Sequence, residues 1–169
     1  DRDHAGMRLP NKDEVDYGYG PGKGRPVYFC SGEPQVRGKF TNATTGVAST
    51  AGKFAACFAL GARILKEFYP EFAAEIGEKA DAAYQEGVKR PGTCQTASVK
   101  SPYIYEEDNW TDDMELGAME LYNATGKPEY LSQALEYGRR EPVTPWMGAD
   151  SARHYQWYPF MKDRKSTRL

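Results

Sequence analysis

The sequence predicts an all-α chain built from helical hairpins separated by long loops. Three observations predict it. Apolar residues recur at helical spacing over four stretches between Val47 and Gly138. Tight turns, Tyr69-Pro70 and Thr125-Gly126, join those stretches in pairs. Between and around the pairs run stretches rich in Gly, Pro, oxygen-bearing side chains and aromatic rings.

The first 46 residues read as loop, with Gly and Pro recurring in YGYGPGKGRP and a short strand only at Val27 to Phe29. A connection this long inside a compact domain tends to be functional. From Val47 the pattern changes to helix. Ser49 or Thr50 is placed to cap a helix running to about Phe68. Its expected inner face is Phe54, Phe58 and Leu65, with Ala51, Ala55 and Ala62 between, and Gly52 and Gly61 allow a neighbour to come close. The second helix is expected from about Glu71 to Lys89, with Phe72, Ile76, Ala80, Ala83 and Val88 on one side, and Pro91-Gly92 stops it.

A second loop, 93–111, contains SPYIYEEDNWT. The third helix runs from Asp112 to about Ala124, with Met114, Ala118, Leu121 and Tyr122 inward and Thr125-Gly126 as its cap. The fourth begins near Pro128, in the first-turn position that proline favours, and ends near Gly138 with Tyr130, Leu131, Ala134, Leu135 and Tyr137 as its face. A further loop leads to a fifth helix broken at Pro159. Short links on one side and long aromatic loops on the other fit two architectures: an array of helical repeats, or a toroid of hairpins. The last eight residues, KDRKSTRL, lack apolar periodicity and are expected to be a frayed or non-native tail, 162–169.

Composition narrows the function classes. A net charge of -2 offers no basic face for nucleic acid or for an anionic membrane. Apolar runs are only a few residues long and mean hydropathy is -0.74, so no segment is expected to span a bilayer. Residues 1–10 have no apolar core of the kind an export signal needs. The cysteines, Cys30, Cys57 and Cys94, form no CxxC pair. Cys57 is expected to pack as a small hydrophobe in its alanine-rich helix, and Cys30 and Cys94 could pair only if the fold brings them together.

Five acids and an asparagine crowd the start of the third helix in YEEDNWTDD. They admit three readings: a helix start capped by Asn109 or Thr111 with Asp112 and Asp113 against the dipole, a calcium loop, or a pair of catalytic carboxylates. Trp110, Trp146 and Trp157 fall in or near the long loops with several tyrosines, which suits stacking on the C–H faces of sugars or plain loop packing. His4 is a lone terminal histidine. His154 has Asp150 and Arg153 beside it, which favours a structural ion-pair set. Asn42, Asn109 and Asn123 head glycosylation sequons by pattern only.

Two stretches resemble glycoside hydrolase family 9, the cellulase family with an (α/α)6 barrel. They are TTGVASTAGKFAACFALGARILKEFYPEFAAEIGEKADAAYQ and DNWTDDMELGAMELYNATGKPEYLSQA; Asp3-His4 followed by Arg8 and Pro10 resembles the family's Asp-His stretch. The resemblance implies part of an (α/α)6 barrel, two helical hairpins plus part of a third, over 1–161. It implies an internal fragment of an inverting enzyme that cleaves β-1,4-glucan. The family's base, in an Asp-Ala-Gly-Asp motif, and its Glu acid are expected outside this chain, so catalytic residues are expected to be none here and the fragment inactive. It further implies substrate contact through His4, Arg8, Trp110 and Trp146. A structural calcium ion is implied at Asp108, Asn109, Asp112 and Asp113, as is a secreted or periplasmic setting with the export signal upstream. Two rivals stand beside it. A helical-repeat binding protein is suggested by YLSQALEYGRR, but no period of ~34 residues recurs. Another (α/α)6 carbohydrate-active enzyme, acting on anionic sugars, would favour a basic cleft.

Overall fold

The structure, a computed structural model, describes residues 20–21, 28–37, 40–95 and 109–140. Its order is β1 (Val36–Arg37), β2 (Phe40–Thr41), α1 (Ala48–Leu65), α2 (Pro70–Lys89), α3 (Thr111–Thr125) and α4 (Pro128–Arg140). Among the described residues the chain is all-α apart from the two-residue strands, which pair antiparallel with Val36 opposite Thr41. The strand expected at Val27 to Phe29 is not formed: 28–30 is irregular, and Val27 lies outside the described residues. The ladder forms later because Asn42 closes it. Asn42 N–H donates to the Gln35 carbonyl at 3.1 Å, and Gln35 N–H donates to Asn42 Oδ1 at 2.7 Å. The fifth helix and the tail lie outside the described residues.

α1 packs against both α2 and α3, and α3 packs against α4, so two antiparallel hairpins stand side by side. The face of α1 that makes both contacts is its small one: Ala48, Ala51, Gly52, Ala55, Ala56 and Ala59 are buried. Ala51 and Ala55 lie on it as expected, but Phe54 does not: it is 52% exposed and packs edge-on against Phe58. The reason is the close approach of α3. A Cβ at Gly52 would sit 2.5 Å from the Asp113 carbonyl, and one at Gly117 would sit 3.0 Å from Gly52 O. Only a stripe of small residues admits a backbone that near. Cys57, also expected inside, is exposed because it lies off that stripe.

On α2, Ile76 and Ala80 are buried as expected, but Ala73, Tyr84 and Gly87 complete the face. Phe72 and Val88, expected on that face, are half-exposed because they lie to either side of it. Leu135 of α4 is likewise exposed, and Tyr130, Ala134 and Tyr137 carry the contact. Tyr84, Met114 and Leu121 are the large side chains at the centre of the core. The Tyr84 ring of α2 and the Tyr130 ring of α4 meet edge-to-face at 5.7 Å, and Tyr130 O–H donates to Asp81. Burial is the first cause that pushes both phenols up, Tyr130 to about 12, so they are neutral packing groups near neutral pH.

Helix ends show where local rules hold. Pro70 and Pro128 open α2 and α4. Gly126, left-handed at φ 73°, closes α3 by donating to the Tyr122 carbonyl at 2.7 Å. The start of α1 departs from the expectation. Neither Ser49 nor Thr50 caps it; Val47 stands at the cap without a side-chain bond. Backbone carbonyls at the end of α2 serve instead, with Val47 N–H on Arg90 O at 3.0 Å and Ser49 N–H on Gly92 O at 3.2 Å.

Candidate functional site

The acidic start of α3 gathers four of the candidate site residues: Asn109, Trp110, Asp112 and Asp113. Asn109 Oδ1 accepts from the Thr111 N–H at 3.2 Å and from its hydroxyl at 2.8 Å. Asn109, rather than Thr111, therefore orders the turn. Asp112 and Asp113 follow in the first helical turn, and both side chains are fully buried. Two carboxylates so placed interact favourably with the helix N-terminus but need further compensation for lost solvation. Part of it comes from α1: Lys53 Nζ lies 3.1 Å from Asp113 Oδ2. The near-contact of α1 and α3 at Gly52 is what lets the adjacent Lys53 reach across.

Sequence reasoning missed Lys53. Its signal was faint but present, as the first charge in the small-residue run ASTAGKFAACFALGA, where a solvated face would carry several. It also missed Glu115, buried at 6% exposure beneath α4. A Cβ at Gly138 would lie 2.7 Å from Glu115 Oε1, so Gly138 makes room for that carboxylate.

Trp110 is partly buried. Its ring meets Tyr137 edge-on at 5.8 Å, and the Arg140 guanidinium lies over it at 5.2 Å. Trp110 is thus anchored to the end of α4. His4, Arg8, Asp108 and Trp146 lie outside the described residues, as do His154 and Trp157. Of the sequons, Asn42 and Asn109 are buried, and Asn42 Nδ2 donates to the Gln95 carbonyl at 2.8 Å. These two side chains are structural here.

The chemistry of the donors suits a hard cation, since two adjacent carboxylates and an amide are oxygen ligands. Asp112 and Asp113 would hold it. The Asn109 side-chain oxygen is turned back onto Thr111, which leaves that residue its backbone carbonyl to offer. Lys53 already brings one positive charge to Asp113. Among the described residues, no three His, Cys, Asp or Glu side chains form a metal cluster. Nor is any helix there long and apolar enough to cross a membrane.

Comparison with known proteins places this geometry in a family. The model of glycosyl hydrolase family 9 matches residues 3–165. The chain belongs to that family, and its hairpins are part of an (α/α)6 barrel. A curated relative, a cellulose 1,4-beta-cellobiosidase of Acetivibrio thermocellus, is 39% identical over 86 residues, 48% of this chain and 10% of that protein. The solved catalytic domain of Clostridium thermocellum CelT shares the fold with TM-score 0.50 and 22% identity, over 72% of this chain and 26% of that one. A Bacteroides ovatus GH9 structure aligns with TM-score 0.46 and 24% identity, over 72% of this chain and 24% of its own. The chain thus spans about a tenth of the curated relative and about a quarter of each solved chain.

Proposed function

We propose that this chain is part of an inverting glycoside hydrolase that cleaves β-1,4-glucan in a secreted or periplasmic setting. The observation that carries the reading is the family match across 3–165, and the 39% identity to a cellobiosidase supports the substrate class. Inversion needs one carboxyl to protonate the leaving oxygen and another to activate water, some ~6.5–9.5 Å apart. Asp112 and Asp113 are poorly suited to either task. Both are sealed from solvent, and Asp113 is ion-paired. Their role is to build the end of the barrel on which the loop carrying Trp110 stands. The acid and base belong to residues outside this chain. His4, Arg8, Trp110 and Trp146 would contact the glucan.

The test uses the full-length enzyme with cello-oligosaccharides and follows the product anomer by NMR. Release of the α-anomer first is expected. Release of the β-anomer would overturn inversion, and no hydrolysis of any β-1,4-glucan would overturn the reading altogether.

The same reading includes a structural calcium ion at Asp112 and Asp113, assisted by Asp108 and Asn109. A cation there would lower the repulsion between neighbouring carboxylates and share Asp113 with Lys53. Binding to the folded state alone would add about 2.7 kcal/mol at a hundredfold excess over Kd. Thermal unfolding of the full enzyme in calcium and in EGTA should therefore differ. Asp112→Asn/Asp113→Asn should abolish the difference. A melting temperature indifferent to EGTA, with no metal in elemental analysis, would overturn the calcium reading and leave the Lys53–Asp113 ion pair.

A further inference from the structure

Residues 90–95, directly after α2, bind two separate parts of the chain. On one side they hold the start of α1: Cys94 N–H donates to Ser49 Oγ at 2.9 Å, and Gln95 N–H donates to Thr44 Oγ1 at 3.0 Å. On the other side they hold 28–35. The Arg90 guanidinium donates to the Ser31 carbonyl. Asn42 links Gln35 to Gln95 through its two side-chain atoms, at 2.7 and 2.8 Å. Gly32 lies against Val47, where a Cβ would approach Val47 Cγ1 to 3.1 Å. These anchors bring two cysteines far apart in sequence together. The Cys94 side chain is buried at 3% exposure, whereas Cys30 is exposed. Cys30, the Thr50 side chain and the Gly32 backbone are the polar neighbours of the Cys94 thiol.

We propose that Cys30 and Cys94 form a dithiol that closes to a cystine, cross-linking the segment before β1 to the strip after α2. This assignment is independent of the activity proposed above. The oxidant is an external disulfide, of the glutathione class or a protein disulfide donor. The Cys30 thiolate attacks one sulfur of the donor and expels the other as a thiol, leaving a mixed disulfide on Cys30. The Cys94 thiolate then attacks the Cys30 sulfur and expels the second donor thiol. Two protein S–H bonds are lost and one S–S bond forms. The two electrons and two protons end on the two donor thiols. The order follows from access. Cys30 is open to the donor, while burial first, and then the neighbouring Cys30 thiol, pushes the Cys94 thiol up to about 11. Cys94 is therefore a slow first attacker but is in place to resolve the mixed disulfide. Cys57, exposed on α1, is the internal control.

The experiment incubates the whole chain in an oxidised-to-reduced glutathione buffer, alkylates free thiols in denaturant, and maps the peptides by mass spectrometry. The expected result is one alkylated cysteine, Cys57, and one linked peptide joining Cys30 to Cys94. Reduction should then lower Tm by roughly 5–10 °C, as opening a long closed loop does. Cys30→Ser, at an exposed position, should remove that response and leave the fold intact. Alkylation of all three cysteines in the oxidised wild-type chain, or linkage through Cys57, would overturn the proposal. Because the mapping uses the unmodified sequence, it decides the pairing even if a Cys94 variant fails to fold.

Discussion

The starts of α1 and α3 meet the same requirement, unpaired N–H groups at a buried helix end, in opposite ways. α1 has no acid in its first turn and no side-chain cap; carbonyls of Arg90 and Gly92 receive the N–H groups of Val47 and Ser49. α3 has two buried acids in its first turn, an asparagine turn before it, and an ammonium reaching over from α1. The first solution is neutral and made by backbone. Its stability depends on the fold of 90–95 and is indifferent to charge. The second carries net charge through side chains. It depends on a counter-ion, and such a place can respond to a cation, to salt or to a single substitution. The two starts are neighbours, since Gly52 of α1 touches the backbone of Asp113.

The most damaging change should be the one that separates them. Gly52→Ala places a methyl 2.5 Å from the Asp113 carbonyl, and backbone cannot swing aside as a side chain can. The helices must part, and Lys53 is carried away from Asp113. A loss of about 3 kcal/mol is expected in chemical denaturation, with the midpoint lowered and the slope unchanged. A midpoint within error of wild type would show that the α1–α3 contact is looser than the close approach implies.

Next is Lys53→Met, which keeps the stem and removes the charge. Breaking a fully buried ion pair from one side costs about 3–5 kcal/mol. Lys53 is 41% exposed, so water screens part of the interaction and about 2 kcal/mol is expected. Asp113→Asn in the same background should restore most of it. The double-mutant cycle measures the coupling directly. A coupling near zero would mean that Asp113 is compensated elsewhere and that Lys53 is a bystander.

How much of this was legible in the sequence depended on which force chose the arrangement. Hairpin order, the Pro128 start and the Gly126 cap follow from local backbone chemistry, and the structure keeps them. Faces were harder. Counting large apolar residues put Phe54 and Phe72 inside, because burial per residue is usually greatest for rings. The close approach at Gly52 reversed that preference, and it is a tertiary fact: it needs α3, some sixty residues on, to be in place. The α1 cap was invisible for the same reason, since its acceptors are carbonyls that every residue owns. At the candidate site the acids were plain to see, because several of them crowd one short segment. Their partner Lys53 was hidden by distance along the chain. The meeting of Cys30 and Cys94 could be stated only as a condition on the fold, and the Arg90, Asn42 and Ser49 bonds are what satisfy it.

The smallest expected effects give the sharpest contrast between the two helix starts. Ser49→Ala removes the acceptor of the buried Cys94 N–H, and Asn109→Ala removes the acceptor shared by the Thr111 N–H and hydroxyl. Each should cost about 1 kcal/mol, the usual net worth of a local hydrogen bond or cap. Salt should tell them apart. The Ser49 bond is neutral and buried, so its loss should be the same at low and high ionic strength. Asn109 orders the turn that leads into the two carboxylates, and loosening it should expose them to solvent ions. The Asn109→Ala deficit should therefore shrink as sodium chloride rises from dilute to about 1 M, where the screening length falls to ~3 Å. Thermal melts of both variants across that series decide the matter. Parallel salt dependence would mean that the start of α3 is as insulated from charge as the start of α1, and the contrast between carbonyl and carboxylate solutions would lose its consequence.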